Sequence, residues 1–464
     1  MKSYLVMFIS LLILVSLLGT STTANTRAKT SNTSLLAAVT NPAIVKDEII
    51  IAKENGTQVE WRHIILKGNN TQIGMALGQI AQSDYGVKSL TRYADPVYGK
   101  ARLAYMERNY PIMRERMKGI AMAYGLTPDN ATFDTNTLPY DAGSIACSMI
   151  YFPPETTANG HAITSRNTEW YLVPMDVYLN PMDVYLNKTE KGTGNRVCSR
   201  NFLMEIYPDQ GYPTLAIGSI DLNMVLDGLN SKGLGISALE DDQMDPVLKM
   251  PLAGGRDSGI WSMQITRLVL ETCKTVEEAK IAFLANKEFL PVAGLHYMVY
   301  DSHGNSAIIE WNKTDGNLYF TNGNSSKPNI MTNHPMYIFS KYATKDLPRE
   351  NDMIPYNDPY DSFNRYITLY NITSSHKGKY SEMDTADALS AVSANTTNTM
   401  VAYEGAIMPL PINTIYNALL DLTDRSLKVK FYLKNGPIDP KTNENTSIFS
   451  PYLTFKMDNS TKLQ

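Results

Sequence analysis

The sequence has little excess charge of either sign, few histidines and few cysteines. A formal net charge of −4 over 464 residues gives no electrostatic reason to expect nucleic acid as a partner. Its six histidines and three cysteines do not form a cluster with metal-ligand spacing, so we expect no metal and no other cofactor. The hydrophobic content of 43% is ordinary for a globular chain, long enough for one large core or two to three domains.

Long apolar runs are also scarce, and the one that stands out lies at the N-terminus. Lys2 precedes an apolar run from Tyr4 to Leu18, and small and polar residues follow as far as Ala24. This order is typical of a secretory signal peptide spanning residues 1–24. An uncleaved membrane anchor is the alternative, because the run is only slightly shorter than a spanning helix. We expect a secreted or cell-surface protein without a stable membrane span after cleavage.

The cysteines are Cys147, Cys198 and Cys273. An odd count in an exported protein leaves at least one thiol unpaired. If Cys147 is a nucleophile, a Cys198–Cys273 disulfide is possible, and the sequence leaves it open. Asn-x-Ser/Thr acceptor triplets for N-glycosylation are dense and give weak support for export: Asn32, Asn55, Asn69, Asn130, Asn187, Asn312, Asn324, Asn371, Asn395, Asn445 and Asn459.

The residues that indicate a chemical function lie on either side of Cys147 in the sequence. Small residues lead up to it, an apolar run follows, and a turn at Asn159-Gly160 precedes a second strand-like run. That run delivers Arg166, Asn167 and Glu169. Two strands joined by a turn bring a thiol, a guanidinium and a carboxylate together. The arrangement suits a nucleophilic cysteine whose thiolate is stabilised by a cation, although a buried structural cysteine is an equal alternative on this residue alone.

These residues resemble the N-terminal nucleophile (Ntn) cysteine amidases, the group of penicillin acyltransferase, choloylglycine hydrolase and acid-ceramidase-like enzymes. In that group the precursor cuts itself directly before a cysteine, and an Arg-Asn-x-Asp motif lies on the next strand. Arg166 and Asn167 match this motif, whereas Glu169 replaces the usual Asp. The resemblance implies an α+β fold, a four-layer αββα sandwich with antiparallel sheets. It further implies a propeptide or small subunit over residues 25–146, retained after cleavage, and a catalytic large subunit over residues 147–464.

Three later segments also resemble the family. The Asn-x-x-Gly-Leu-Gly turn that begins at Asn230 matches its central hairpin, which implies an oxyanion donor at the backbone of Glu240. Two further carboxylates directly after Glu240 would oppose that role. Thr332-Asn333-x-Pro and Ser362-x-x-Arg365 match two more motifs. By this resemblance the Asn333 side chain donates to the oxyanion and Arg365 anchors the site by its charge.

Residues 174–187 contain Pro-Met-Asp-Val-Tyr-Leu-Asn twice in succession. Two copies of seven residues are too few for a solenoid, so a loop expanded by duplication is the better interpretation. In the family this region borders the acyl pocket. The resemblance therefore makes Asn167, Tyr178 and Tyr185 candidate substrate-binding residues, and it implies that Met175 and Met182 line the same entrance.

The mechanism that the resemblance implies starts with cleavage between Ala146 and Cys147. The freed α-amine has a pKa near ~8 and would act as the general base. The thiolate of Cys147 would attack an amide carbonyl to give a thioester, which is hydrolysed or passed to another amine. Arg166 would stabilise the thiolate and Glu169 would orient the amine. The expected partners are therefore a small N-acyl amide substrate and the two subunits of one precursor.

Two alternatives remain open. A papain-like cysteine protease needs a histidine partner, for which the candidates are His161, His296, His303 and His334, but none lies in a papain-like context. A non-catalytic exported binding protein on the amidase scaffold is the alternative from a different class. Glu169 and the acidic residues after Leu239 leave this second alternative open.

Hydrophobic periodicity and turn residues predict the elements around these motifs. A polar connector ending at Asp141 is expected to provide slack before the cleavage site. Helices are predicted over residues 70–92, 100–124 with Gly125 as the capping glycine, 258–284 as one helix or a pair with Thr275 as an N-cap, and 384–394. Strands are predicted over residues 49–52, 59–66, 202–207, 214–220, 399–403 and 428–433, and hairpins over 224–239 and 296–311.

Overall fold

The computed structural model describes most of the chain from residue 42 onwards. The described residues are 42–53, 57–141, 145–170, 172, 198–241, 259–289, 294–312, 315–339, 359–403, 406–441 and 443–458. The predicted signal peptide, the turn at residues 54–56, the duplicated segment with Met175, Tyr178, Met182 and Tyr185, and Asp242 lie outside these residues.

One sheet has nine strands, in the order β1-β2-β5-β6-β7-β8-β11-β12-β13. Neighbouring strands run antiparallel, except that β2 and β5 are parallel. The strands are β1 (Ile44–Ile51), β2 (Glu60–Gly68), β5 (Arg200–Pro208), β6 (Thr214–Gly218), β7 (Asp227–Asn230), β8 (Leu234–Glu240), β11 (Leu295–Asp301), β12 (Ser306–Trp311) and β13 (Leu318–Asn322). Strands before and after Cys147 thus share one sheet.

The second sheet has eight strands and contains the predicted hairpin of Cys147. Its path is β14-β3-β4-β16-β17-β18, with β15 paired to β16 and β19 paired to β17. The strands are β3 (Ile145–Phe152), β4 (Ile163–Trp170), β14 (Asn329–Met331), β15 (Asn395–Tyr403), β16 (Ala406–Asp421), β17 (Ser426–Ile438), β18 (Asn445–Phe449) and β19 (Leu453–Lys456). Two short strands, β9 (Ile260–Trp261) and β10 (Glu288–Phe289), pair separately.

Helices cover the outer faces of both sheets. The helices are α1 (Asn70–Ser83), α2 (Pro96–Asn109), α3 (Pro111–Ala123), α4 (Ser262–Thr272), α5 (Val276–Ala285), α6 (Met336–Phe339), α7 (Pro359–Ser375) and α8 (Glu382–Asp387). Helices α1, α4 and α5 contact strands of the nine-stranded sheet, whereas α7 and α8 contact strands of the other sheet. Strand β3 packs against β8 across the interface between the sheets.

The side chains of strand β3 alternate between two hydrophobic cores, one on each face of its sheet. Cys147, Met149 and Tyr151 belong to the main core between the sheets. Ile150 and Phe152, which point the other way, pack with Leu369 in the core beneath α7. Side chains of a strand point alternately to its two faces, so one strand serves both cores. The predicted α+β fold with antiparallel sheets is confirmed, and its helix–sheet–sheet–helix layers are those of the expected sandwich.

The predicted helix over residues 100–124 is wrong in one respect, because two helices occupy this region. Helix α2 begins at Pro96 and ends at Asn109, and α3 begins at Pro111. Proline has no N–H to donate and its ring clashes with the preceding turn, so it favours the first position of a new helix. Gly125 does follow α3 with φ +69°, as a terminating glycine should.

Other boundaries also differ from the predictions. Helix α1 ends at Ser83 rather than at residue 92, and its start is capped by Asn69. The 258–284 region is a pair of helices, α4 and α5, and Thr275 caps the second by accepting from the Glu278 amide. The carboxylate of Glu278 accepts from the amide of Lys274 instead of that of Thr275. The long strand β16 was not predicted from the sequence.

The connector before the cleavage site is not slack as far as Asp141. The amides of Tyr140 and Asp141 both donate to the Ile220 carbonyl, at 2.8 and 3.2 Å. The amide of Leu138 donates to the carboxylate of Asp221 at 2.8 Å. These bonds fix the last residues that the structure describes before the start of β3.

Two other expectations concern cysteines and membranes. Cys147, Cys198 and Cys273 are all buried free thiols, so Cys198 and Cys273 are not joined by a disulfide. Within the described ranges, none of the helices combines the length and the apolar character needed to cross a bilayer.

Candidate active site

The β3–β4 hairpin places Cys147 between the two sheets. In its antiparallel register Cys147 lies opposite Thr168, and Met149 lies opposite Arg166. Residues opposite each other on paired strands point to the same face. Cys147 and Arg166 therefore share the face that packs against the nine-stranded sheet, as the sequence predicts for a thiol beside a guanidinium.

Arg166 is fully buried and is held by acceptors on both sheets. Its Nε donates to Asp227 Oδ1 at 2.9 Å, and its Nη2 donates to the Ala238 carbonyl at 3.1 Å. A third bond joins its Nη1 to the Asn167 carbonyl. Because a buried guanidinium requires a counter-charge and satisfied donors, Asp227 on β7 completes this arrangement. Tyr416 donates its hydroxyl to the other oxygen of Asp227.

The thiol of Cys147 is protonated in the uncut protein. Burial raises its pKa well above the usual range, and the neighbouring carboxylates of Glu169 and Asp227 raise it further. Arg166 opposes this change by its charge and by a hydrogen bond to the sulfur. Desolvation is the largest of these effects, so the expected stabilisation of a thiolate by Arg166 is present but outweighed before cleavage.

Glu169 lies directly opposite Ala146 in the hairpin. Its side chain is fully buried, and its Oε1 accepts from the hydroxyl of Thr414 at 3.2 Å. The register places the backbone of Glu169 beside Ala146, and its carboxylate is close enough to Cys147 to raise the pKa of the thiol by its charge. Its additional methylene relative to aspartate is accommodated inside the core.

Asn333 and Arg365 hold the backbone of Cys147 from the other side. The Cys147 amide donates to Asn333 Oδ1 at 2.9 Å. Arg365 Nη1 donates to the Cys147 carbonyl at 2.5 Å and to Ser148 Oγ at 2.8 Å, while its Nη2 donates to Asn333 Oδ1 at 2.8 Å. Two motifs separated by about 30 residues in the sequence thus meet at the predicted nucleophile.

The Asn333 side chain is oriented by these contacts. Its Oδ1 faces two donors, so its Nδ2 must point the other way, where it donates to the Glu240 carbonyl at 2.7 Å. The Glu240 carbonyl is thus the acceptor for the Asn333 side chain in this structure, whereas the sequence predicts that the Glu240 backbone amide donates to the oxyanion. Asp241 lies beyond it and donates its amide to Gly294.

The segment that carries Asn333 is fixed by two further side chains. Ser362 Oγ accepts from the amides of Asn333 and His334, at 2.7 and 2.8 Å. Glu310 on β12 accepts from the amides of Met336 and Tyr337, at 2.7 and 3.0 Å, and bonds His296 Nδ1 at 3.1 Å. Buried polar groups with satisfied bonds give this segment a single position.

The substrate-binding candidates are not brought to the thiol in the described residues. Asn167 lies opposite Ser148, so it points to the helix side of the sheet. There its Nδ2 donates to the Leu389 carbonyl and to Ser393 Oγ, and its Oδ1 accepts from Asn417. Tyr178 and Tyr185 lie outside the described residues, so their role stays a prediction.

Asp227, Glu310 and Ser148 contribute to the site but were not assigned a role from the sequence. Asp227 interrupts the apolar run from Met224 to Leu229, and Glu310 interrupts that of β12. A carboxylate inside a buried strand is rare unless it is paired, so each interruption was a usable signal. The sequence alone did not show which groups pair with each carboxylate.

Three of the four histidines proposed for a papain-like site are hydrogen-bonded to side chains other than Cys147. His161 bonds Asp421, His296 bonds Glu310, and His334 contacts Ser362. Burial and the positive charges of His296 and Arg365 lower the pKa of His334 to about 3, which keeps that imidazole neutral. The amide of His303 donates to Asp301 in the turn after β11.

One group of side chains in the described residues has metal-ligand proximity. The ligand atoms of His161, Asp421 and Asp424 all lie within 4.8 Å of one another. His161 Nδ1 is already bonded to Asp421 Oδ2 at 2.7 Å, and Asp424 pairs with Lys456. These groups satisfy each other, and the absence of a metal stays a prediction.

One known family has a sequence model that matches part of this chain. Residues 147–351 match the sequence model of the linear amide C–N hydrolases, choloylglycine hydrolase family. The match begins at Cys147 itself. The resemblance to the Ntn cysteine amidases is thereby confirmed for the segment that begins at Cys147.

Three solved structures with some similarity to this chain are distant in sequence. Penicillin V acylase from Agrobacterium tumefaciens is 16% identical with a TM-score of 0.39, over 61% of this chain and 83% of its own. A mutant of conjugated bile acid hydrolase from Clostridium perfringens is 16% identical with a TM-score of 0.41, over 67% of this chain and 97% of its own.

The third is the Caenorhabditis elegans N-acylethanolamine-hydrolyzing acid amidase ortholog, which is 14% identical with a TM-score of 0.33, over 67% of this chain and 100% of its own. Similarities at this level carry no argument about substrate. No curated protein matches this chain in sequence.

Proposed function

We propose that this chain is a self-processing, exported cysteine hydrolase that cleaves linear amides of N-acyl compounds, or transfers their acyl groups, through a thioester at Cys147. The observation that supports the proposal best is that polar side chains contact both the backbone and the sulfur of Cys147. Asn333 accepts from its amide, Arg365 donates to its carbonyl, and Arg166 reaches its sulfur. A structural cysteine would not need its backbone and its sulfur each bound by a separate polar group.

Self-processing would begin with attack of the Cys147 sulfur on the carbonyl carbon of Ala146. The sulfur–carbon bond forms while the carbon–nitrogen bond of the peptide breaks, and the thiol proton passes to the departing nitrogen. Water then hydrolyses the thioester, releasing a carboxylate at Ala146 and a free thiol and α-amine on Cys147. The new amine keeps its donor contact to Asn333 Oδ1, because the Cys147 nitrogen already lies 2.9 Å from that oxygen.

Turnover would use the same residue as nucleophile and base. The α-amine, with a pKa near ~8, takes the thiol proton as the sulfur attacks the substrate carbonyl. It returns the proton to the departing amine, and water or a second amine then resolves the thioester. Glu169 would accept from the amine and Arg166 would favour the anionic sulfur; the position of Glu169 opposite Ala146 and the charge of Arg166 near the sulfur support these roles.

The proposal includes export and glycosylation. The order of Lys2, the apolar run and the small residues up to Ala24 supports a signal peptide, and the acceptor triplets are consistent with a glycoprotein. Residues 25–146 would then be the small subunit and residues 147–464 the large one. Cleavage of the signal leaves no membrane span in this assignment.

A non-catalytic exported binding protein on the same scaffold is the second candidate. The observation that favours it is the state of Cys147, which is fully buried with a pKa raised well above the usual range. A chain that never cuts itself would keep this cysteine inert. The papain-like alternative is not proposed, because three of its four candidate histidines are bonded to other side chains and the fourth lies in a turn.

Covalent trapping separates the two candidates. The wild type, incubated with a panel of activated N-acyl amides and quenched in acid, should gain the acyl mass on the peptide that begins at Cys147. Cys147→Ala should gain none, whereas Cys273→Ala, which removes a buried thiol outside the site, should behave as the wild type. Absence of the adduct and of turnover with every acyl donor would favour the binding protein.

A further inference from the structure

A cavity of about 640 Å³ lies at the edge of the sandwich where β12, β13 and β14 meet helix α7. Its volume falls within the range of small-molecule sites. The lining does not include Cys147, nor Arg166, Glu169, Asn333 or Arg365. It is therefore separate from the candidate active site, although Tyr366 in its wall directly follows Arg365.

The floor of the cavity is apolar. Met298 on β11, Ile308 on β12, Ile330 on β14 and Met336 at the start of α6 line it, and all four side chains are buried. Met298 and Ile308 lie opposite each other in the β11–β12 register, so they form one continuous surface. Such a floor gains free energy by covering a hydrocarbon chain, at roughly 25 cal/mol per Å² of apolar area removed from water.

The mouth of the cavity is polar and carries an excess of positive charge. Lys327 and Lys379 line it and are exposed, and neither ammonium has an ion-pair partner among the described residues. Glu155, which also lines the cavity, accepts from the hydroxyl of Ser326 at 3.0 Å. The two lysines therefore outnumber the carboxylate.

A histidine adds a second observation at the same wall. The ring of His376 stacks on Tyr380 with centroids 4.0 Å apart, and both residues line the cavity. Its Nε2 is buried and has no hydrogen-bond partner within the described part of the chain. A buried polar nitrogen without a partner is unfavourable, and a bound group that supplies one removes this cost.

From this arrangement we infer that the cavity binds a single-chain amphiphile with a carboxylate head group. The carboxylate lies at the mouth between Lys327 and Lys379, and the chain covers the floor formed by Met298, Ile308, Ile330 and Met336. The two lysines would repel an ammonium head group and would not attract a neutral one by charge. The site goes beyond amide cleavage and does not depend on the proposed function.

Isothermal titration calorimetry with decanoate, below its micellar concentration and at low salt, tests the inference. The Cys147→Ala chain is the protein to use, because it keeps the nucleophile from contributing and leaves the cavity intact. We expect saturable binding of decanoate and weaker binding of decylammonium. Replacing both lysines, Lys327→Gln with Lys379→Gln, should raise the Kd about tenfold, since exposed charges contribute modestly to binding and the apolar floor is unchanged.

The matched control is Lys377→Gln. Lys377 is exposed on the same segment as Lys379 but does not line the cavity, so its removal should leave the Kd for decanoate unchanged. The inference is overturned by absence of saturable decanoate binding or by equally tight binding of decylammonium. A loss in Lys377→Gln as large as in the double variant would also overturn it, because the effect would then be one of general surface charge.

Discussion

At the scale of single residues, the uncut protein holds the backbone of Cys147 while keeping its thiol neutral. Arg365 and Asn333 fix the peptide on either side of the α-carbon, and burial raises the pKa of the thiol despite Arg166. Cleavage before Cys147 would change this balance, because it creates an amine beside the sulfur and opens the strand. The thiolate of Cys147 is therefore disfavoured in the uncut chain and would form more readily once the amine is free.

Asn333 gives the sharpest prediction at this scale. Asn333→Asp keeps an oxygen for the Cys147 amide and for Arg365 but removes the donor that now contacts the Glu240 carbonyl. Loss of one oxyanion donor typically lowers the rate by about 100- to 1,000-fold. We expect a fall of that order in kcat for amide hydrolysis with little change in KM.

Asn364→Asp is the control for this prediction, since Asn364 is an exposed amide on helix α7 and does not belong to an N-glycosylation triplet. Its steady-state kinetics should match those of the wild type. Wild-type kcat in Asn333→Asp would show that the side-chain nitrogen of Asn333 does not bind the oxyanion.

At this scale the sequence predicted a site residue wherever that residue belonged to a recognisable motif. Cys147, Arg166, Asn333 and Arg365 were found by motif and do meet. Asp227 was not assigned, because its role exists only through its contact with Arg166, which comes from the other sheet. Local patterns reveal that a buried carboxylate needs a partner, but only the packing of the two sheets selects that partner.

At the scale of secondary-structure elements, hairpins between neighbouring segments were predicted from the sequence. Pairing between strands that are distant in the sequence was not. The hairpin of Cys147 and the strands around Asn230 follow from alternation and turn residues, and both are present. Strand β16 was missed, although it pairs with β4, β15 and β17 in the middle of its sheet. Its two prolines, at positions 409 and 411, obscure the strand pattern, because proline is uncommon in central strands.

The segment between β14 and α6 is the element that sets the position of Asn333. Glu310 holds it through two backbone amides, so Glu310→Gln leaves only one carbonyl oxygen to accept from both. A glutamine nitrogen facing a backbone N–H is unfavourable. We expect kcat to fall by about 10- to 100-fold while KM changes little, because a loosened donor weakens the transition state more than substrate binding.

Hydrogen exchange supplies the readout that a general loss of activity would not. The amides of Met336 and Tyr337 should exchange faster in Glu310→Gln than in the wild type. Glu382→Gln, an exposed glutamate at the start of α8, is the control. Unchanged exchange at these two amides together with full activity would contradict a positioning role for Glu310.

At the scale of the whole molecule, the segments before and after Cys147 form one core. Strand β2 pairs in parallel with β5 along its whole length, and β1 lies at the edge beside it. Arg116 on α3 and Glu271 on α4 form a fully buried ion pair at 2.5 Å. Tyr110 donates to the other oxygen of the same carboxylate at 2.5 Å.

These contacts predict that cleavage does not release the small subunit. After cleavage both fragments should co-elute in size-exclusion chromatography under native conditions and separate only in denaturant. Arg116→Met removes the shorter of the two buried ion pairs of Glu271 and leaves only Arg267 at 3.6 Å, so it should lower the urea midpoint of dissociation. Arg108→Met, at an exposed position of α2, should not. Loss of the small fragment in native buffer would contradict the retained subunit.

Stability should depend on pH through a buried carboxyl group. Burial raises the pKa of Glu288 to about 7, although bonds from Tyr297 and Trp311 lower it. The folded state thus binds this proton more tightly than the unfolded state, where a glutamate has a pKa of about 4.3. The contribution is fully present below about pH 4 and is lost as the pH rises through about 7.

Glu288→Gln in the Cys147→Ala background isolates this contribution. Glutamine can accept from Trp311 and donate to the Tyr297 oxygen, and it does not ionise. Between about pH 5 and pH 8 the reference protein should lose stability relative to Glu288→Gln, by up to about 3 kcal/mol. Urea midpoints measured across this range give the comparison, and parallel curves for the two proteins would refute the assignment to Glu288.

The central claim, that Cys147 is an autocatalytic nucleophile, is tested most directly by intact mass and N-terminal sequencing of the purified protein beside Cys147→Ala. The account predicts a large fragment that begins at Cys147 in the wild type and an uncut chain in the variant. A single uncut chain in both proteins, or the same cut in both, would contradict self-processing by Cys147. An uncut chain in both would leave the non-catalytic binding protein as the better assignment.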